Sequence, residues 1–176
     1  QGDLMMLGAF GGFIAMSAMG LPFWAAAIAT VIVMTLLGVG LERVVIRPIL
    51  GQPAFSIIML TIGVAYVLRG AITMIPVIGT ETHPLDAPYA GQVIEVAGLV
   101  LAAEQVVVIL VTAVLCGVLT LLFRHSKLGI AMQASAQNQL AAYYMGIPVR
   151  RINGLIWGLA AAVATVAGLL IAPITF

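Results

Sequence analysis

The chain has 176 residues, of which 63% are hydrophobic and 7% charged, and its formal net charge is +1. Seven Lys/Arg and six Asp/Glu cannot cover a water-soluble fold, since an ordinary soluble domain is about 25% charged. Disorder needs low hydrophobicity, and a nearly neutral chain has no basic field to hold nucleic acid. With a mean hydropathy of +1.22, the composition defines an integral membrane protein. The single cysteine, Cys116, lies in an apolar run and says little about redox compartment.

A helix needs about 20 apolar residues to cross about 30 Å of hydrocarbon. Residues 4–41 carry no charge and are interrupted by Gly20-Leu21-Pro22, which predicts spans over 4–19 and 22–41. The third span is placed at 54–78 and contains Arg69. The fourth and fifth, 105–123 and 152–175, are free of charge. The apolar runs are continuous and do not alternate, so the expected fold is all-α, a polytopic transmembrane helical bundle, in preference to a barrel.

Charge placement sets the orientation. Arg43 and Arg47 share one connection, and Arg124, Lys127, Arg150 and Arg151 share another. Residues 79–104 carry Glu81, Asp86, Glu95 and Glu104 with no Lys or Arg. The basic connections are therefore expected in the cytoplasm, and the 79–104 loop outside. The start at Gln1 has no basic leader region. The apolar end at Phe176 leads us to expect a piece of a longer permease-like protein. No internal repeat is visible.

Small residues recur at helical spacing in Gly8/Gly12, Ala113/Gly117, Gly154/Gly158 and Ala164/Gly168. Such pairs let helix backbones approach in lipid. Packing within the chain is the expected use, and a subunit interface the alternative.

The segment 124–151 is the most informative. Ser126 is placed to cap a helix, and Gly146 followed by Pro148 signals an end. Leu140, Tyr143, Tyr144 and Ile147 follow i, i+3, i+4, i+7 and are expected on one helical face. No charge occurs between Lys127 and Arg150. A helix lying on anionic lipid would carry Lys and Arg on its polar face. An uncharged polar face fits a groove on a protein better.

Here the sequence resembles the permease subunits of ABC importers. Their cytoplasmic loop reads Glu-Ala-Ala, three residues, Gly, nine residues, Ile. This chain has Leu140-Ala141-Ala142, then Gly146, then Ile156, with Leu140 in place of the Glu. Lys127-Leu128-Gly129, Ala131-Met132, Ala134, Ala136-Gln137-Asn138, Ala141 and Gly146-Ile147 are similar to the coupling segment of permeases that import branched-chain amino acids. Gly2-Asp3 with Met6-Leu7-Gly8-Ala9, Glu42-Arg43 with Arg47-Pro48, and Thr61-Ile62-Gly63 look like the same family.

The resemblance implies a subunit of the bacterial inner membrane that works by alternating access and has no cofactor of its own. It implies a second related permease chain, two cytoplasmic ATPase subunits and a periplasmic binding protein as partners. Leucine, isoleucine and valine are the default substrates, with urea, short amides and aromatic acids carried by close relatives. Coupling to the ATPases would fall on Leu128, Gly129, Gln133, Ala134, Asn138, Ala141, Tyr143, Gly146 and Ile147. Ile130 and Gln133 stand where the family often has Arg, so docking would rest on shape and neutral hydrogen bonds.

Asp3, Thr61 and Arg69 are the candidates for the translocation path. Arg69 is expected to snorkel to the outer interface, the alternative being a contact with a substrate carboxylate or polar pore groups. Asp3 is expected to cap its helix, and Thr61 to bond its own backbone. His83 and Asp86 flank Pro84 as loop residues without enough neighbours for a metal site. His125 reads as part of a solvated basic end. No Walker A loop, Gly-x-Ser-x-Gly or His-Glu-x-x-His occurs. A membrane-embedded enzyme would need paired acids or a Ser/His pair in the spans. A self-contained secondary transporter would need repeats and several midplane ionisable residues.

Overall fold

A computed structural model describes residues 1–49, 52–74, 87–89, 91–96 and 99–175. Glu81, His83, Pro84 and Asp86 of the 79–104 loop lie outside the described residues. In chain order the elements are α1 (Gly2–Met19), α2 (Phe23–Leu41), α3 (Ala54–Thr73), β1 (Val93–Val96), β2 (Leu99–Ala102), α4 (Ala103–His125), α5 (Lys127–Gln137), α6 (Gln139–Tyr144) and α7 (Val149–Thr175). Five helices among the described residues are long and apolar enough to cross a membrane. The chain divides into two compact units, residues 1–88 with 157–176, and residues 89–156.

In the first unit α1 and α2 form a hairpin. Gly20 takes the left-handed conformation (φ 62°) and gives its N–H to the carbonyls of Ala15 and Met16. Pro22, in extended conformation, leads into α2. Small residues let the backbones of α1, α2 and the later part of α7 close together. A Cβ on Gly8 would stand 2.7 Å from Thr165 Cα, and one on Gly38 2.7 Å from Ala161 Cβ. Gly158 lies against Val39 and Thr35, and Gly168 against Met5 and Ala9. Three of the expected small-residue pairs thus supply a packing glycine within the chain. The fourth differs, since a Cβ on Gly117 would meet nothing within 4 Å. Leu4, Met34 and Ala161 are buried at the centre, with Leu7, Leu37, Leu41 and Ala164 around them. Thr30 and Thr165 are also buried. Each hydroxyl donates to the carbonyl four residues back, Ala26 and Ala161, at 2.7 Å, so neither leaves an unpaired polar group in the apolar core.

The second helix keeps α geometry to Leu41, where the span was expected to end, and the chain coils on as a π-turn over Glu42–Ile46 and a 3₁₀ turn over Arg47–Ile49. Two charges near the end read as a loop, but the wider turn pairs them. The Arg47 N–H donates to the Glu42 carbonyl, and its guanidinium donates to the Glu42 carboxylate at 3.0 Å. Glu42 is 1% exposed. A buried carboxylate is tolerated when paired, and here the π-turn accompanies the pairing of Glu42 with the residue five positions on.

The second unit holds β1, β2, α4, α5, α6 and the first turns of α7. The expected external loop contains an antiparallel hairpin in the register Val93↔Ala102 and Val96↔Leu99. Its closing bond, from the Ala103 N–H to the Gln92 carbonyl, is 2.9 Å and delivers the chain into α4. Gly91 N–H donates to Glu104 in the first turn of that helix. Burial and the neighbouring Glu104 push the Tyr89 phenol above its usual 10.0.

Candidate translocation and coupling sites

Two of the three path candidates, Asp3 and Arg69, meet. The Arg69 Nε–H donates to Asp3 Oδ1 at 2.5 Å, joining α3 to α1 across 66 residues of sequence. This corrects one expectation. Asp3 lies within α1 and makes no capping bond, because its carboxylate is engaged by Arg69. Arg69, expected to reach the outer interface, is held by a carboxylate of α1. The Arg69 side chain is 61% exposed and that of Asp3 20%. Thr61 donates to the Ile58 carbonyl at 2.8 Å, within its own helix as expected.

The place of the pair follows from the two helices. Asp3 adjoins the buried Leu4 in the first turn of α1. Arg69 lies about 22 Å along α3 from Ala54, four residues before that helix ends at Thr73.

The coupling candidates divide into two groups. Ser126 caps α5 as expected, accepting from the Gly129 N–H at 2.9 Å while donating to the Leu122 carbonyl at 2.6 Å. Gly129 is buried, and a Cβ there would come within 2.6 Å of Phe123 Cα. Gln133 donates to the Phe123 carbonyl at 3.1 Å. Asn138 separates α5 from α6 and caps the latter, accepting from the Leu140 and Ala141 N–H groups at 3.0 Å. Gly129, Gln133 and Asn138 thus build the segment and seat α5 on α4.

The other group faces outward. Leu128, Ala141, Leu140, Tyr143 and Tyr144 are exposed, and Ala134 is half-buried. Tyr143 and Tyr144 meet edge to face at 6.1 Å. Gly146 has φ 83°, and the chain ends α6 with paired bonds, Gly146 N–H to the Tyr143 carbonyl and Ile147 N–H to the Ala142 carbonyl, both 3.0 Å. This is a Schellman turn. It carries Ile147 off the face of Leu140, Tyr143 and Tyr144, where the helical spacing had placed it, and leaves it half-buried. His125 is exposed in the last turn of α4.

Long apolar helices packed through glycine, an ion pair between two of them and a capped pair of short helices describe a helical membrane protein. The chain belongs to the family described as branched-chain amino acid transport system / permease component, which it matches over residues 1–176. It is 28% identical to the high-affinity branched-chain amino acid transport system permease protein BraD of Pseudomonas aeruginosa, over 97% of this chain and 59% of that protein. It is 28% identical to LivH of Salmonella typhimurium and 26% identical to LivH of Escherichia coli K12, over the same shares. Both carry the same description as BraD. The chain thus spans 59% of the length of these curated relatives. No solved structure matches it significantly.

Proposed function

We propose that the chain is part of the permease subunit of an ABC importer in the bacterial inner membrane, moving branched-chain amino acids by alternating access. Two cytoplasmic ATPase subunits supply the energy, a periplasmic binding protein delivers substrate, and a second, related permease chain completes the path. Family membership and the descriptions of BraD and LivH support the substrate class.

The observation that carries the coupling role is the outward face of α6. Leu140, Tyr143 and Tyr144 are 65%, 67% and 77% exposed on a capped helix with no charge. Aromatic side chains presented this way are suited to anchor in a groove of a partner protein. Closure of the ATPases on ATP would push α6, and the seat of α5 on α4 would pass the push to a membrane span.

Gly146→Val tests this. A Cβ on Gly146 would touch nothing within 4 Å, so the cost comes from the left-handed backbone alone, about 1–2 kcal/mol. The expected result is a permease that reaches the membrane, retains its ATPase subunits poorly and loses substrate-stimulated hydrolysis. Normal co-purification and normal coupling would remove residues 128–147 from the coupling role.

The orientation is proposed from the Lys/Arg asymmetry. Cysteines placed at Arg47 and Gln137, in a chain whose exposed Cys116 is replaced by Ser, should label only from the cytoplasm. A cysteine at Asp86 should label only from outside. Labelling of Gln137→Cys from outside would contradict both the orientation and the ATPase contact.

A further inference from the structure

The Asp3–Arg69 pair has more bonding capacity than it uses between its two helices. A guanidinium carries five N–H donors in a planar fork, and Arg69 gives one of them, Nε–H, to Asp3. Among the described residues, its terminal nitrogens donate to no protein group, and the side chain is 61% exposed. An exposed cation on an apolar helix is costly against hydrocarbon, so it faces a polar path or another protein surface. A Cβ on Gly2, beside Asp3, or on Gly70, beside Arg69, would meet nothing within 4 Å. The carboxylate is the more enclosed partner, 20% exposed.

We propose that Asp3 and Arg69 form a two-point receptor for the charged head of a zwitterionic α-amino acid. The free edge of the Arg69 guanidinium takes the substrate carboxylate, and Asp3 takes the ammonium. The inference rests on the importer reading and adds to it the residues that select the substrate class. The zwitterion brings the same two charges that the pair holds, so each side chain trades its present partner for an equivalent one and no charge is left unpaired. That balance matters inside a membrane, where an unpaired charge is costly. Urea and simple amides carry neither charge and cannot replace the existing pair. An organic anion offers a carboxylate to Arg69 but leaves Asp3 facing a like charge. The pair therefore favours amino acids over the other substrate classes.

The test uses the complete complex in proteoliposomes, with binding protein outside, ATP on the ATPase side and L-leucine as the probe. In the exchanged variant, Asp3→Arg with Arg69→Asp, the two helices can still be joined by an ion pair, but the charges are presented in reverse. The expected result is assembly at the wild-type level with leucine uptake reduced at least about thirtyfold. Uptake within about threefold of wild type would show a strut between helices and overturn the inference, leaving the importer reading intact. A wild-type complex that moves no amino acid on ATP would overturn the importer reading and the inference with it. If the exchanged variant does not assemble, Arg69→Lys decides. Its compact ammonium satisfies Asp3 but offers no second planar edge. A loss of about tenfold or more in an assembled complex supports the receptor, and uptake within about threefold overturns it.

Discussion

Gly129→Val is expected to abolish ATP-coupled uptake while the chain stays in the membrane. The new Cβ would stand 2.6 Å from Phe123 Cα and 2.9 Å from the Leu122 carbonyl carbon. Both neighbours are α4 backbone, which cannot rotate out of the way as a side chain can. The start of α5 must lift away, and with it go the Ser126 cap at 2.9 Å and the Gln133 bond to Phe123 at 3.1 Å. Overpacking of this kind costs on the order of 3 kcal/mol, about a hundredfold in the population of seated segment. The spans are apolar in their own right, so insertion should persist. Uptake and substrate-stimulated hydrolysis should fall by about that factor, with Gly129→Ala intermediate. Normal coupling in Gly129→Val would show that the seat of α5 on α4 transmits nothing.

Gly8→Val is expected to act on a different property, the amount of folded protein. Its Cβ would stand 2.7 Å from Thr165 Cα and 3.0 Å from Thr165 Cβ, in a close part of the α1–α7 contact. In lipid that contact has no hydrophobic drive and depends on close backbone approach. Pushing the helices apart also loosens Leu4 from Ala161 in the buried cluster. A cost on the order of 3 kcal/mol is a large share of the stability of a typical domain. Membrane level and thermal stability in detergent should both drop sharply, and the protein that remains should couple normally. A Gly8→Val chain of wild-type stability would contradict the packing described for the first unit.

The elements that could be read from the sequence are those set by local chemistry. Uninterrupted apolar runs located the five long helices, and Gly20, Ser126 and Gly146 marked ends through backbone conformation or a side-chain cap, within reach of a few residues. The rest depends on pairing at a distance or on an unusual turn. Asp3 and Arg69 were each singled out as ionisable groups in apolar surroundings, but nothing in a linear pattern joins residues 66 apart. Glu42 and Arg47 looked like the polar end of a span. Their pairing requires i, i+5 geometry, which an α-helical spacing argument does not consider.

Within the coupling segment, the side that each residue faces escaped sequence reading. Gly129 and Gln133 turn toward α4, and Asn138 turns back on its own helix, because a backbone contact or an open N–H claims each of them first. Ile147 followed the helical period, but α6 ends at Tyr144 and the chain turns left-handed at Gly146. The short hairpin at β1 and β2 was missed because four-residue strands give too brief an alternation to stand out within an acidic loop.

The most direct test of the importer reading is leucine uptake by the complete complex in proteoliposomes, with the ion gradient and ATP varied independently. The account predicts uptake that needs ATP on the side of Arg47 and Gln137, needs binding protein on the opposite side, and is indifferent to collapse of proton and sodium gradients. Uptake that persists without ATP or ATPase subunits and follows an ion gradient would contradict it.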